Sequence, residues 1–165
     1  MLPPDPARAP AAIRADALLA MSSSALDALF QNRPAGEIPQ GSADGTIVWM
    51  PGTPLARPVA RVLGATVWRG KVFRPDSGDL KNRLGPTGFP AIRAVVGPGV
   101  SWLDDRPCVL LDYSRSSRVA GWIRDEIREV SPGVYLGLAW GVGRVFGGRK
   151  LLLRFALTFA HRSAA

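Results

Sequence analysis

The residues best placed to do chemistry lie in the run Trp122-Ile-Arg-Asp-Glu-Ile-Arg-Glu-Val130. Read as a strand, one two-residue phase carries Ile123, Asp125, Ile127 and Glu129; the other carries Trp122, Arg124, Glu126, Arg128 and Val130. Asp125 thus falls between two isoleucines. Buried there, its carboxylate must find a hydrogen-bond partner, shift its pKa or meet a ligand, because an unpaired interior charge is too costly. Asn82 is in the same position between Leu80 and Leu84, and Tyr113 closes the apolar stretch that begins at Cys108.

These residues support three readings. In the first, a cavity lined by Trp68, Val109, Leu111, Leu136, Leu138 and Phe155 holds a small apolar or anionic amphiphilic ligand, oriented by Asp125, Asn82 and Tyr113. In the second, a cofactor-free isomerase, cyclase or hydrolase uses Asp125 as acid or base while Tyr113 donates to developing oxyanion charge. In the third, the core is solid and Asp125 pairs with Arg128 or with an arginine of a neighbouring strand. A solid interior rejects the first two readings. A cavity with Asp125 unpaired favours the enzyme, and one with Asp125 ion-paired favours binding. Val119, Trp122, Ile123, Ile127 and Val130 also have helical spacing, and a helix there would put Asp125 on a charged face.

Other familiar chemistries find little support. The single histidine, His161, stands at the chain end, and no HExxH, P-loop or dinucleotide-binding glycine pattern is present. Gly141-Val-Gly-Arg-Val-Phe-Gly147 reads as a hairpin loop. The lone Cys108, within Pro107-Cys-Val-Leu-Leu111, reads as a buried inert thiol and provides neither a disulfide nor a cysteine metal cage. No metal, haem or other cofactor is expected.

The elements that must position these residues are mostly short strands. With 18 Gly and 15 Pro in 165 residues, turns are frequent. Strand patterns cover Gly45 to Met50, Thr66 to Phe73, Asp79 to Leu84, Ala91 to Val96, Cys108 to Tyr113, the Asp125 run, Val134 to Trp140 and Leu151 to Phe159. Pro75-Asp-Ser-Gly78 and Ser131-Pro-Gly133 are turns between them. Eight or nine such strands with tight connections predict a mainly β, antiparallel up-and-down barrel with one or two short helices. Ser23 or Ser24 caps one helix, with Leu26, Leu29 and Phe30 on one face, expected to close an end of the body. A second, over Leu55 to Leu63, places Arg57 and Arg61 beside its apolar stripe, as in a lid. Residues 1–20, rich in Pro and Ala, read as a loosely held arm before a single domain over 21–165.

The net charge is +8, yet the arginines are dispersed and not interleaved with aromatic residues, so nucleic-acid binding is not expected. Peripheral contact with a membrane stays open, and the oligomeric state is not legible. The prolines of the first ten residues break any signal-peptide core, and no stretch reaches the ~18 apolar residues of a membrane span, so a cytoplasmic location is expected.

Trp68-Arg-Gly-Lys-Val-Phe73 resembles a Trp-x-Gly-Lys-x-Phe segment, and Asp125-Glu-Ile-Arg-Glu-Val130 with Val134-Tyr-Leu-Gly137 resembles Asp-His-Phe-Arg-x-Val with Val-Leu-Gly. All three belong to a bacterial lipocalin-like family of unknown function that often carries a GXWXG segment. The resemblance spans about half the chain and implies a calycin-type barrel with an internal site and no particular activity. The GXWXG segment itself is missing, and Glu126 stands where the family has His, so no role passes from that His to this chain.

Overall fold

The computed structural model describes residues 12–49 and 68–160. Alternating apolar residues between turn signals are realised as eight strands: β1 (Gly41–Trp49), β2 (Gly70–Arg74), β3 (Asp79–Leu84), β4 (Phe89–Val100), β5 (Pro107–Asp112), β6 (Ile123–Ser131), β7 (Val134–Gly143) and β8 (Gly148–Phe159). Each strand pairs antiparallel with the next, and β8 pairs with β1 to close the barrel. Closure leaves no sheet edge exposed. The mainly β, up-and-down architecture read from the sequence is the observed one, and residues 123–131 are strand, not helix.

The topology gives the barrel two distinct ends. The β3–β4, β5–β6 and β7–β8 connections emerge at one, and the β2–β3, β4–β5 and β6–β7 connections at the other. Near the second end the lumen is solid. Phe159 packs there against Phe73 (tilted) and Tyr135 (edge to face) with centroids 5.6–5.7 Å apart, and Leu80, Val109, Leu111, Ile127 and Leu157 fill the space beside them. Towards the first end the lumen opens into a cavity.

Two helices cover the outside of the wall. Residues 15–19, read with the arm, form helix α1 (Ala15–Leu19), which buries Leu18 completely. Helix α2 (Ser23–Gln31) starts where Ser22 Oγ accepts from the Ala25 N–H, and it buries Leu26 and Phe30. These side chains pack on Val48, Val130, Val134, Leu136, Leu138 and Ala156, so α2 lies along the wall and does not close an end. Burying each large apolar side chain contributes about 1.5–3 kcal/mol. Leu136 and Leu138, expected in the lumen, therefore face outward. The inward phase of β7 is Tyr135, Gly137 and Ala139, because the ring of Phe155 occupies the space beside Gly137, where a Cβ would come within 2.2 Å of it. The lid helix expected around Arg57 and Arg61, His161 and the first eleven residues lie outside the described residues.

The outer phase of β6 is polar yet buried, and it is satisfied locally. Arg128, fully buried, uses all five of its N–H groups: two on Asp104, and one each on the carbonyls of Phe30, Arg106 and Pro107. It thereby ties α2 and the 101–106 turn to the wall. Glu126 accepts from Ser101 Oγ (2.6 Å), the Trp102 N–H (2.9 Å) and Arg124 Nε (3.1 Å). Cys108 is buried on this side, its thiol pushed up to about 12 first by burial and then by the Glu126 carboxylate. The pairing of Asp125 with Arg128 is thus overturned, because strand residues an odd number of positions apart point to opposite faces.

The hydrogen bonds from Arg128 are the leading cause that holds the Asp104 carboxyl below its usual range. A depressed folded-state pKa gives stability that is present above the unfolded value and lost as pH falls through the folded one. Asp104→Asn is expected to cost roughly 3–5 kcal/mol at neutral pH by leaving a buried guanidinium uncompensated. Urea unfolding should show this gap, and the gap should narrow below about pH 4. Equal stability of the two proteins at pH 7 would remove the clamp from the account of the fold.

Candidate functional site

The site begins at the entry to β2. A strict alternation would turn Trp68 away from the phase of Lys71 and Phe73, yet Trp68 also packs against the lumen core. Gly70 allows this. Its φ is +132°, and a Cβ there would lie 2.0 Å from the Ala43 carbonyl oxygen, so only glycine fits. β4 contributes a second irregularity. The register slips between Lys81 and Asn82, and Ile92 bulges into the cavity wall at φ +48°, a costly conformation for a β-branched residue. The bulge brings the Ile92 carbonyl within 3.0 Å of Asn82 Nδ2, which donates to it.

These elements surround a cavity of about 110 Å³ at the first end of the barrel. Its wall is apolar, with Ile47, Leu84, Ile92, Trp122, Leu153 and Phe155 prominent, except on one side. There Lys71, Asn82, Tyr113 and Asp125, each at least 94% buried, form a closed network. Lys71 Nζ donates to Asp125 Oδ2 (2.9 Å), Tyr113 Oη (2.6 Å) and Asn82 Oδ1 (2.9 Å). Tyr113 Oη donates to Asp125 Oδ2 (3.2 Å) and accepts from Asn82 Nδ2 (3.0 Å). Trp68 Nε1 donates to Asn82 Oδ1 (3.1 Å). The ammonium also lies 5.2–5.4 Å from the ring centroids of Trp68, Tyr113 and Phe155, whose faces attract a cation.

The protonation states follow from this geometry. Burial alone would lower the Lys71 pKa, but the charge of Asp125 and the hydrogen bonds of Tyr113 and Asp125 outweigh it and raise it, so the lysine is a cation at neutral pH. Burial, followed by the Asp125 charge, pushes the Tyr113 phenol up to about 12, with Lys71 opposing. The network at pH 7 is therefore an ammonium–carboxylate pair with a neutral phenol and an amide. All three lysine N–H groups and both amide N–H groups have acceptors. Among the described residues nothing donates to Asp125 Oδ1, the oxygen of the network left for another donor.

Of the residues singled out from sequence, Trp68, Asn82, Tyr113, Asp125 and Phe155 meet at this cavity. Leu111 and Val109 lie in the lumen core but do not line it, because the filled half of the barrel holds them. Leu136 and Leu138 are on the far side of the wall. Sequence reasoning missed Lys71. The signal was available: it shares the lumen phase with Phe73 and stands inside the Trp68-Arg-Gly-Lys segment, but its partner is 54 positions away. Among the described residues no group of three or more His, Cys, Asp or Glu side chains could hold a metal ion.

Lys71→Met is expected to cost roughly 3–5 kcal/mol by stranding Asp125, whereas adding Asp125→Leu to it should recover most of that loss. Urea unfolding of the two single variants and the double measures the coupling, and additive losses would contradict a direct pair. The chain has two tyrosines, Tyr113 and Tyr135, and burial raises both to about 12. A raised folded-state pKa gives stability that is full below the unfolded value and lost as pH rises through the folded one. Tyrosinate absorbance should stay flat through pH 10 in the native protein, where the urea-unfolded chain titrates, and stability should fall between about pH 10 and 12.

No protein-family model and no curated protein matches the chain. A crystal structure of a protein from Thermomonospora curvata is similar over 86% of this chain and 89% of that one, with TM-score 0.62 and 18% identity. At that identity the likeness establishes the eight-stranded barrel fold alone.

Proposed function

We propose that the barrel binds a small, predominantly apolar ligand whose single hydrogen-bond donor meets Asp125 Oδ1. The observation that carries this reading is a saturated polar network on one side of an otherwise apolar cavity, with one carboxylate oxygen to spare. A cavity of about 110 Å³ is of the same order as the ~150 Å³ void that admits benzene, so a single six-membered ring or a short branched chain is the upper limit of size. The ion pair favours binding over acid–base catalysis. Lys71 and Tyr113 both hold their protons far above neutral pH, and the carboxylate is committed to the ammonium through Oδ2. An anionic head group would be repelled at Oδ1, so an amphiphile would enter with its neutral end first. The lipocalin-like segments around Trp68 and Asp125 agree with an internal site of this kind.

The test compares matched small molecules, phenol with benzene and cyclohexanol with cyclohexane, by NMR shifts of the Trp68 indole N–H. The alcohols are expected to bind about tenfold more tightly, the ~1.4 kcal/mol of one buried hydrogen bond. Leu153→Trp fills the lumen from β8, a strand that carries no member of the network, and should abolish binding of all four, with circular dichroism confirming the fold. Equal affinity for alcohol and hydrocarbon would refute the role of Asp125, and no binding of either would refute the cavity as a ligand site.

A further inference from the structure

We infer that the end of the barrel bearing the cavity docks onto an anionic phospholipid bilayer. Among the described residues, the three most exposed large apolar side chains are Val145, Val119 and Phe89, at 81%, 73% and 68% exposure. Phe89 begins β4 directly after the β3–β4 turn, Val119 lies in the β5–β6 connection and Val145 in the β7–β8 turn. Antiparallel topology brings these three connections to one end, although 56 residues separate the first from the last. Exposed apolar residues are ordinary on a protein surface, and Leu19 and Val100 are each 53% exposed elsewhere, but the three most exposed all stand at the tips of one end.

Charge is sorted in the same way. The segments 85–88, 113–122 and 144–147 contain Arg115, Arg118 and Arg144 and no acidic residue. All three arginines are exposed, as is Arg149 at the start of β8. At the opposite end the signs are mixed: 75–78 holds Asp76, and 101–106 holds Asp104, Asp105 and Arg106, with Asp104 paired to Arg128. The cavity end is thus basic and apolar-tipped, with no matching excess of either sign at the other. Such a field orients the molecule over a negatively charged plane, and the tip residues then reach the boundary between head groups and acyl chains. Each basic residue held near an anionic leaflet strengthens binding roughly fivefold, and salt weakens it. A nucleic-acid surface would use the arginines but leave the three apolar tips without a role. Docking of this kind does not depend on what occupies the cavity, although it would set the cavity facing the membrane.

Co-sedimentation of the full chain with phosphatidylcholine vesicles, with and without phosphatidylserine, tests the inference. Binding is expected only with phosphatidylserine and should weaken as salt rises. Arg118→Glu with Arg144→Glu should reduce it at least tenfold, and Val119→Ser with Val145→Ser should do the same at unchanged net charge. All four positions are exposed, and circular dichroism confirms that each variant folds. Equal sedimentation with both vesicle types, or full binding by either double variant, would overturn the proposal. So would a duplex oligonucleotide that outcompetes the vesicles and is bound equally well by the valine variant.

Discussion

A cation in the lumen of a closed barrel has no access to bulk water, and the cavity half of this molecule is organised around that constraint. Lys71 is retained as an ammonium because Asp125 supplies the opposite charge, while Tyr113 and Asn82 supply the remaining acceptors. Each of those groups is in turn held by another. Asn82 is fixed by the Trp68 indole and the Ile92 carbonyl, and that carbonyl is available because β4 bulges at a strained residue. Removing any member leaves a buried polar atom without its protein partner, so the network favours one arrangement of four strands.

The wall of the barrel performs a second task. β6 carries charge on both faces, and both are buried, which an antiparallel sheet with one wet face does not require. Inside, Asp125 serves the cavity. Outside, Glu126 and Arg128 anchor the 101–106 turn and the C-terminal end of α2. The helices that cover this wall allow β7 to be apolar outward, with Leu136 and Leu138, and small inward, with Gly137 and Ala139. The room gained inside is taken by Phe155, whose ring forms part of the cavity wall and one of the three aromatic faces around the ammonium.

The two ends of the barrel then differ in kind. Tilted and edge-to-face aromatic rings fill one, which ends in turns of mixed charge; the other is hollow and ends in basic turns with apolar tips. The cavity thus rests on a packed floor, and its polar side is held by the Lys71–Asp125–Tyr113–Asn82 network.

The sequence by itself determined the mainly β, up-and-down class with eight or nine strands, because a strand's two-residue period and its Gly- and Pro-marked turns are local properties. It also identified Asp125 and Asn82 as polar residues in apolar phases, and Tyr113 beside them. It put Leu136 and Leu138 in the lumen and was wrong, because both phases of β7 are apolar or small and the choice rests on a ring from β8. Nor did it reveal helix α1, whose five residues have too little periodicity to register without the wall they pack on. Lys71 is the clearest case. Locally it is one lysine in a strand, and only closure of the barrel brings it to a carboxylate 54 residues away. Charge pairing is a matter of distance in space, which alternation along a strand does not encode; the tertiary structure alone therefore decided that Asp125 faces a lysine and not an arginine.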